Sequence, residues 1–101
     1  MARTHFIHPG IILRDLYLED SGITQAQLAA GIGLPQSRVS ELCNGKRDIT
    51  ADIALRLGKF FGVEPQGFIN MQMHYDLEEA KTAQDAARVV IRPFKMRLAH
   101  A

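Results

Sequence analysis

The sequence predicts an all-α domain built from short helices joined by tight turns. Apolar residues recur three and four positions apart along most of the chain, which is the spacing of one helix face. Glycine and proline occur singly, at intervals that suit turns between helices. The chain has 101 residues, of which 47% are hydrophobic, so it can bury a single core without disulfides or metal ions. Its one cysteine, Cys43, is expected to be a small buried hydrophobe.

The first two helices are predicted from their start signals. Helix one is expected over about residues 11–19, after the entry segment His8-Pro9-Gly10. Its apolar positions are Ile12, Leu13, Leu16 and Tyr17. Helix two is expected over Gln25–Ile32, with Thr24 as its N-cap. The Thr24 hydroxyl can accept from a free backbone N–H while Gln27 reaches back to the cap, which makes a capping box.

Helices three and four follow a glycine and a threonine, respectively. Gly33 provides a left-handed turn after helix two. Helix three is expected over residues 35–43, because proline is tolerated in the first turn of a helix. Thr50 is the predicted cap of helix four, with Asp52 favourably placed at the positive end of that helix. The apolar face of helix four comprises Ile53, Leu57, Phe60 and Phe61.

The chain changes character near residue 81. Helix five is expected over residues 65–81, with a mixed apolar side. The β-branched run Val89-Val90-Ile91 and the following Pro93 then favour an extended segment over 88–94. The predicted domain organisation is therefore one helical domain over 1–81 and a C-terminal extension over 82–101.

The segment 25–44 predicts a helix-turn-helix, in which two short helices cross beside a glycine turn. Ala29 is small where the two helices approach closely, and Gly33 makes the turn. The positions that need an inward apolar side chain are all filled, by Leu28, Ile32, Leu34, Val39 and Leu42. A generic helical hairpin can match some of these positions by chance, but the complete set favours the DNA-binding motif.

Helix three is predicted to present a polar face to the major groove of DNA. Gln36, Ser37, Ser40 and Glu41 lie opposite the inward side chains of that helix. Gln36 can form two hydrogen bonds to adenine, and the Ser37 hydroxyl can hydrogen-bond to several different bases. For Glu41 two interpretations remain open, because it can accept from a cytosine amino group or repel phosphates and so sharpen selectivity.

Five further residues are expected at the edge of this surface. Arg38 can bind guanine or a phosphate, whereas Gln25, Asn44, Lys46 and Arg47 are placed to hold the phosphate backbone. The formal net charge is only +1, but it is unevenly distributed, with +2 over 35–63, −4 over 64–80 and +4 over 81–101. The basic stretch that contains helix three favours an anionic partner.

The residues argue against an enzyme. The four histidines show no H-E-x-x-H spacing, and no nucleophile elbow, glycine-rich phosphate loop or paired-carboxylate cleft can be assembled. No cofactor and no metal site are therefore expected. No apolar run approaches the roughly 18 residues needed to cross a bilayer, and the sequence starts without the features of a signal peptide. The expectation is a cytoplasmic protein with no membrane partner.

A set of short motifs spread over about residues 8–80 points to a known family. These motifs are His8-Pro9-Gly10, Thr24-Gln25, Leu28-Ala29, Arg38-Val39-Ser40-Glu41-Leu42, Asn44-Gly45-Lys46-Arg47, Ile49-Thr50, Ala54-Leu55-Arg56-Leu57, Asn70, Gln72 and Tyr75-Asp76-Leu77. With the five-helix order, they resemble the lambda-repressor-like (Cro/cI-type, XRE) DNA-binding domain, and more specifically the HigA-type antitoxins of toxin–antitoxin pairs. The sequence departs from the family at Ile11, where an acidic residue is usual, and at Leu34-Pro35-Gln36. The base preference of the family therefore cannot be assigned to this sequence.

The resemblance implies a homodimeric autorepressor that binds double-stranded operator DNA and neutralises a HigB-like ribonuclease toxin. A two-fold dimer that spans half-sites about 34 Å apart is also the usual route to adequate affinity, since one module reads only a few base pairs. Apolar residues of helix five and the tail can form the dimer surface or pack within the chain; they are Met71, Met73, Val89, Val90, Ile91 and Phe94. The alternatives are a stand-alone helix-turn-helix regulator without a toxin, and a protein–protein interaction module that does not bind DNA.

Overall fold

The computed structural model of this chain describes residues 7–95, and within that range it contains five helices and no β-strand. Helix α1 is a continuous run of three segments, Pro9–Ile12, Leu13–Leu18 and Glu19–Ser21, of which the middle one has π-type hydrogen bonding. The others are α2 (Gln25–Ile32), α3 (Gln36–Cys43), α4 (Ala51–Phe61) and α5 (Gln66–Ala87). The all-α fold class is confirmed.

Helix α1 begins earlier than predicted and turns a different face inward. His8 is its N-cap, with Nδ1 accepting from the Gly10 N–H at 2.9 Å. Leu16 was expected on the buried face, but it is 59% exposed, and Leu18 is buried in its place. The π-type segment explains the difference, because its i→i+5 bonds add residues to the turn and rotate the following side chains around the axis.

The helix-turn-helix is formed where the sequence predicted it. Both halves of the capping box are present, since Thr24 Oγ1 accepts from the Gln27 N–H and Gln27 Oε1 accepts from the Thr24 N–H. Gly33 ends α2 in the left-handed conformation, at φ 72°. The predicted start of helix three at Pro35 is wrong by one residue, because Pro35 has extended backbone and serves as the N-cap of α3.

Helix α5 runs six residues past its predicted end. No proline or glycine interrupts the sequence between 81 and 87, so the helix continues to Ala87, and Arg88 leaves it in a left-handed conformation. Residues 89–95 have no regular secondary structure, as expected for a non-helical tail. The extension over 82–101 therefore comprises the last turns of α5 and this segment, while 96–101 lie outside the described residues.

The core is shared by α1, α2, α3, α4 and α5 and by the loop between α3 and α4. Its buried hydrophobic residues are Leu13, Leu18, Leu28, Ala29, Ile32, Val39, Leu42, Cys43, Ile49, Ile53, Ala54, Leu57 and Phe68. Each of these helices supplies part of one shared core, which fixes the orientation of α3. Across residues 7–95, the structure contains no helix with the length and apolar character needed to span a bilayer.

Candidate nucleic-acid interface

Three side chains on one face of α3 anchor the helix in the hydrophobic core. Val39, Leu42 and Cys43 are buried, each with 1% or less of its surface exposed. Burial raises the pKa of the Cys43 thiol, although the nearby Arg14 acts in the opposite direction. The thiol is therefore neutral at physiological pH and packs as an apolar group. The opposite face of the helix is left free to meet a ligand.

The outward face of α3 carries the residues predicted to read bases. Gln36, Ser37, Arg38 and Glu41 are exposed, and Ser40 is half-buried at the edge of the face. Gln36 and Ser37 form the first turn of the helix, directly after the Pro35 cap. A recognition helix contacts base edges mainly from this N-terminal end, so the two side chains stand where direct readout requires them.

The predicted phosphate-binding residues lie at the start of α2 and directly after α3. Gln25 is the first residue of α2 and lies half-buried beside the unpaired backbone N–H groups of that helix end. Asn44 caps the C-terminus of α3, and Lys46 and Arg47 follow in an exposed loop. The structure therefore places one neutral donor at the start of the motif, and a neutral donor and two cations directly after its second helix. Such an arrangement can position a DNA backbone across α3.

One ion pair joins the two parts of this surface. The Arg47 guanidinium donates from both Nε and Nη2 to the same Glu41 oxygen, at 2.9 and 2.8 Å. Both side chains remain about half exposed, so water screens the pair and its contribution to stability is small. Glu41 therefore engages a cation of the same surface in the free protein. This contact favours the interpretation in which Glu41 tunes phosphate binding over the one in which it reads cytosine.

The turn of the motif is fixed from α4 by Arg56, which sequence reasoning missed. Arg56 Nη1 donates to the carbonyl oxygens of Ile32 and Gly33, at 2.7 and 3.4 Å. Its Nε donates to Asp52 at 2.9 Å. The guanidinium thus binds carbonyl groups that the end of α2 leaves without helical partners. The i,i+4 spacing of Asp52 and Arg56 was visible in the sequence, but the distant carbonyls were not.

The loop after α3 is also anchored from elsewhere in the fold. His8 Nε2 lies 3.3 Å from Asp48 Oδ1, and the Ile49 N–H donates to Gln72 Oε1 at 2.8 Å. Gln72 was not predicted as a site residue. Two signals were available, because Gln72 is one of the motif residues that carry the family resemblance and is a single amide side chain between Met71 and Met73.

Comparison with known proteins agrees with this geometry. A family model described as helix-turn-helix matches residues 14–68. Virulence-associated protein I of Dichelobacter nodosus is 41% identical over 85 residues, which are 84% of this chain and 79% of that protein. The Pseudomonas aeruginosa antitoxin HigA, solved with the higBA promoter, is 36% identical with a TM-score of 0.82, over 88% of this chain and 98% of that one. An addiction module antidote protein of the HigA family from Coxiella burnetii is 38% identical with a TM-score of 0.76, over 89% and 100% of the two chains.

The matched region contains the whole of the motif predicted over 25–44. The structural likeness extends beyond it, to nearly all of the described residues. The chain therefore belongs to the helix-turn-helix family of DNA-binding regulators, within the lambda-repressor-like group that includes the HigA-type antitoxins.

Proposed function

We propose that this protein is a transcriptional autorepressor without catalytic activity, which binds an operator in its own promoter. The observation that carries the proposal is the polar N-terminal turn of α3, where Gln36 and Ser37 are exposed. Gln25 precedes this turn at the start of α2, and the exposed cations Lys46 and Arg47 follow the helix. Base-reading groups flanked by phosphate-binding groups are the arrangement that sequence-specific DNA recognition requires. The HigA structure with the higBA promoter supports a promoter as the target.

The proposed species on DNA is a homodimer whose surface includes α5 and the tail. Along α5, Asn70, Met73, His74, Asp76, Leu77 and Ala80 line an open groove of about 510 Å³. In the tail, Val90 and Ile91 are 83% and 73% exposed, so neither packs within the chain. The charges of the two regions are complementary, with −4 over 64–80 and +4 over 81–101. A second copy related by two-fold symmetry can offer its basic tail to this acidic, partly apolar helix.

The proposed dimer is tested by measuring the molecular mass of the protein and its variants in solution. Val90→Asp together with Ile91→Asp is expected to give a monomer, because two charges cannot be buried in an apolar contact. Leu16→Asp is the control, since Leu16 is an exposed leucine on α1 that does not line the groove along α5. A dimer that persists in the tail variant would contradict the assignment of the tail, and would leave the proposed binding to DNA intact.

We further propose that the protein neutralises a HigB-like ribonuclease toxin. The support is its similarity to proteins described as antitoxin and antidote, at 36% and 38% identity over most of both chains. The test is co-expression with the small reading frame adjacent to its gene. Rescue of growth and recovery of a stable complex are the expected results. A neighbouring gene without toxicity would instead favour a stand-alone regulator.

The operator proposal is tested by binding of the purified protein to its upstream promoter, titrated across salt concentration against scrambled DNA. Specific binding is expected, with log K falling linearly with log[salt] by about 0.9 for each phosphate contacted. Equal affinity for both DNAs would refute sequence-specific repression. No binding at low salt would refute DNA binding altogether and favour a protein–protein interaction module.

A further inference from the structure

A buried amide on α5 holds the loop that follows the recognition helix. Gln72 is 4% exposed, and its Oε1 accepts from the backbone N–H of Ile49 at 2.8 Å. Its Nε2 donates to Asp76 Oδ1 at 2.9 Å. The amide therefore uses both of its polar atoms, as a buried polar group must. It connects α5 to a backbone position 23 residues earlier in the chain.

Asp76 and the Ile49 N–H favour the same orientation of the Gln72 amide. An ionised carboxylate only accepts hydrogen bonds, so it selects the NH2 end of the amide and leaves the oxygen for Ile49. Without Asp76, only the Ile49 N–H would hold the amide in this orientation, and the buried NH2 group would lose its partner. Asp76 is exposed and Gln72 is not, so the orienting group lies at the surface and the group it orients lies beneath it.

The anchored loop is the one that carries the cations of the DNA interface. Lys46 and Arg47 precede Ile49 by three and two residues. On the other side of the loop, Asp48 lies 3.3 Å from His8, which itself caps α1. The loop is thus fixed at two consecutive residues, from α5 and from the start of α1. A loop held in this way loses little backbone entropy when its cations bind phosphate, whereas a free loop must be ordered at that moment.

We propose that Gln72, oriented by Asp76, is a positioning residue for DNA binding that acts through Lys46 and Arg47. Gln72 contacts no DNA itself, because its side chain is buried between α5 and the loop. The proposal rests on the proposed binding to operator DNA. It adds that the affinity of the phosphate-binding loop is set from α5, the helix that also carries the proposed dimer groove.

The test uses the full chain and three variants. Gln72→Met keeps the length of the side chain but removes the acceptor, and it is expected to weaken operator binding about tenfold, which corresponds to about 1.4 kcal/mol. The salt slope is expected to fall by about 0.9 for each cation that loses its phosphate. Asp76→Ala should give a smaller loss, since the acceptor remains but is held only by the Ile49 N–H. The double variant Gln72→Glu with Asp76→Asn reverses the direction of the hydrogen bond at constant net charge, and it is expected to restore both affinity and slope.

Gln84→Met is the matched control, because it makes the same change at an exposed position of α5. Mass in solution and thermal unfolding are measured for every variant, so that a lost dimer or an unfolded chain is recognised. If Gln72→Met lowers the Tm and leaves the operator affinity and salt slope of the folded protein unchanged, Gln72 is merely structural and the proposal is wrong. If Gln72→Met does not fold, Asp76→Ala and the double variant decide by the same criteria. Failure of the proposed function is a distinct outcome, since the unaltered protein would then show no salt-dependent binding.

Discussion

The substitution Gly10→Ala is expected to destabilise the protein strongly, because α1 and α3 touch through their backbones at this point. A Cβ at Gly10 would overlap the carbonyl oxygen of Leu42 in the last turn of α3, and it would lie 3.2 Å from Nδ1 of His8. Neither backbone can move aside freely, since Leu42 and Cys43 are buried in the core. The two helices must separate, and the hydrogen bond from the Gly10 N–H to His8 must distort or break.

The expected loss of stability is the sum of an overpacking cost and the cost of a weakened N-cap. Overpacking of a tight contact costs about 1–3 kcal/mol, and loss of an N-cap costs about 1 kcal/mol. The expected decrease in the free energy of unfolding is therefore about 2–4 kcal/mol. For a domain of this size, each kcal/mol lowers the Tm by about 4–8 °C, so a decrease of roughly 10–30 °C is expected. Because α3 must move away from α1 in this variant and α3 carries the residues that read bases, operator affinity should fall as well.

The assay is thermal and denaturant unfolding followed by circular dichroism. Gly67→Ala is the matched control, because Gly67 lies within α5 and a Cβ there would meet no atom within 4 Å. This change should stabilise the protein by up to about 1 kcal/mol, since alanine favours the helix over glycine. A Gly10→Ala protein with an unchanged Tm would refute the backbone contact between α1 and α3, and with it the reasoning about how α3 is held.

Three further predictions concern the DNA interface. Gln36→Ala with Ser37→Ala should cost roughly 1–3 kcal/mol per lost base contact and relax sequence preference in a competition assay; unchanged preference would mean that another face of α3 reads the bases. Lys46→Ala should weaken binding to all sequences alike and lower the salt slope by about one contact, so an effect confined to one operator variant would contradict a phosphate role. Glu41→Gln frees Arg47 from its ion pair and should tighten binding to operator and scrambled DNA alike, by up to about fivefold for a surface pair of at most about 1 kcal/mol. A loss of operator affinity in the Glu41→Gln protein would instead favour the cytosine-reading interpretation.

The candidate interface was largely predictable because its residues lie within one short segment. Side chains three and four apart on α3 share a face, so the exposure of Ser37 and Glu41 followed from the burial expected for Val39 and Leu42 on the opposite face. Gln36 lies three residues before Val39 and is exposed as well, because it is the first residue of the helix. The less regular elements were harder to predict. Leu16 satisfied the helical spacing and yet is exposed, because the π-type hydrogen bonding of α1 was not visible as a sequence pattern.

The sequence by itself determined the helices, their caps and the outward face of α3, since these depend on residues that are at most four positions apart. The Thr24 capping box and the left-handed Gly33 are of this kind. The tertiary structure alone decided which distant groups hold the motif in place. The contacts of Gln72 with Ile49, of His8 with Asp48 and of Arg56 with Ile32 join residues 23, 40 and 24 positions apart. Such pairs depend on how whole helices cross, and the crossing is set by the packing of the shared core rather than by any local pattern.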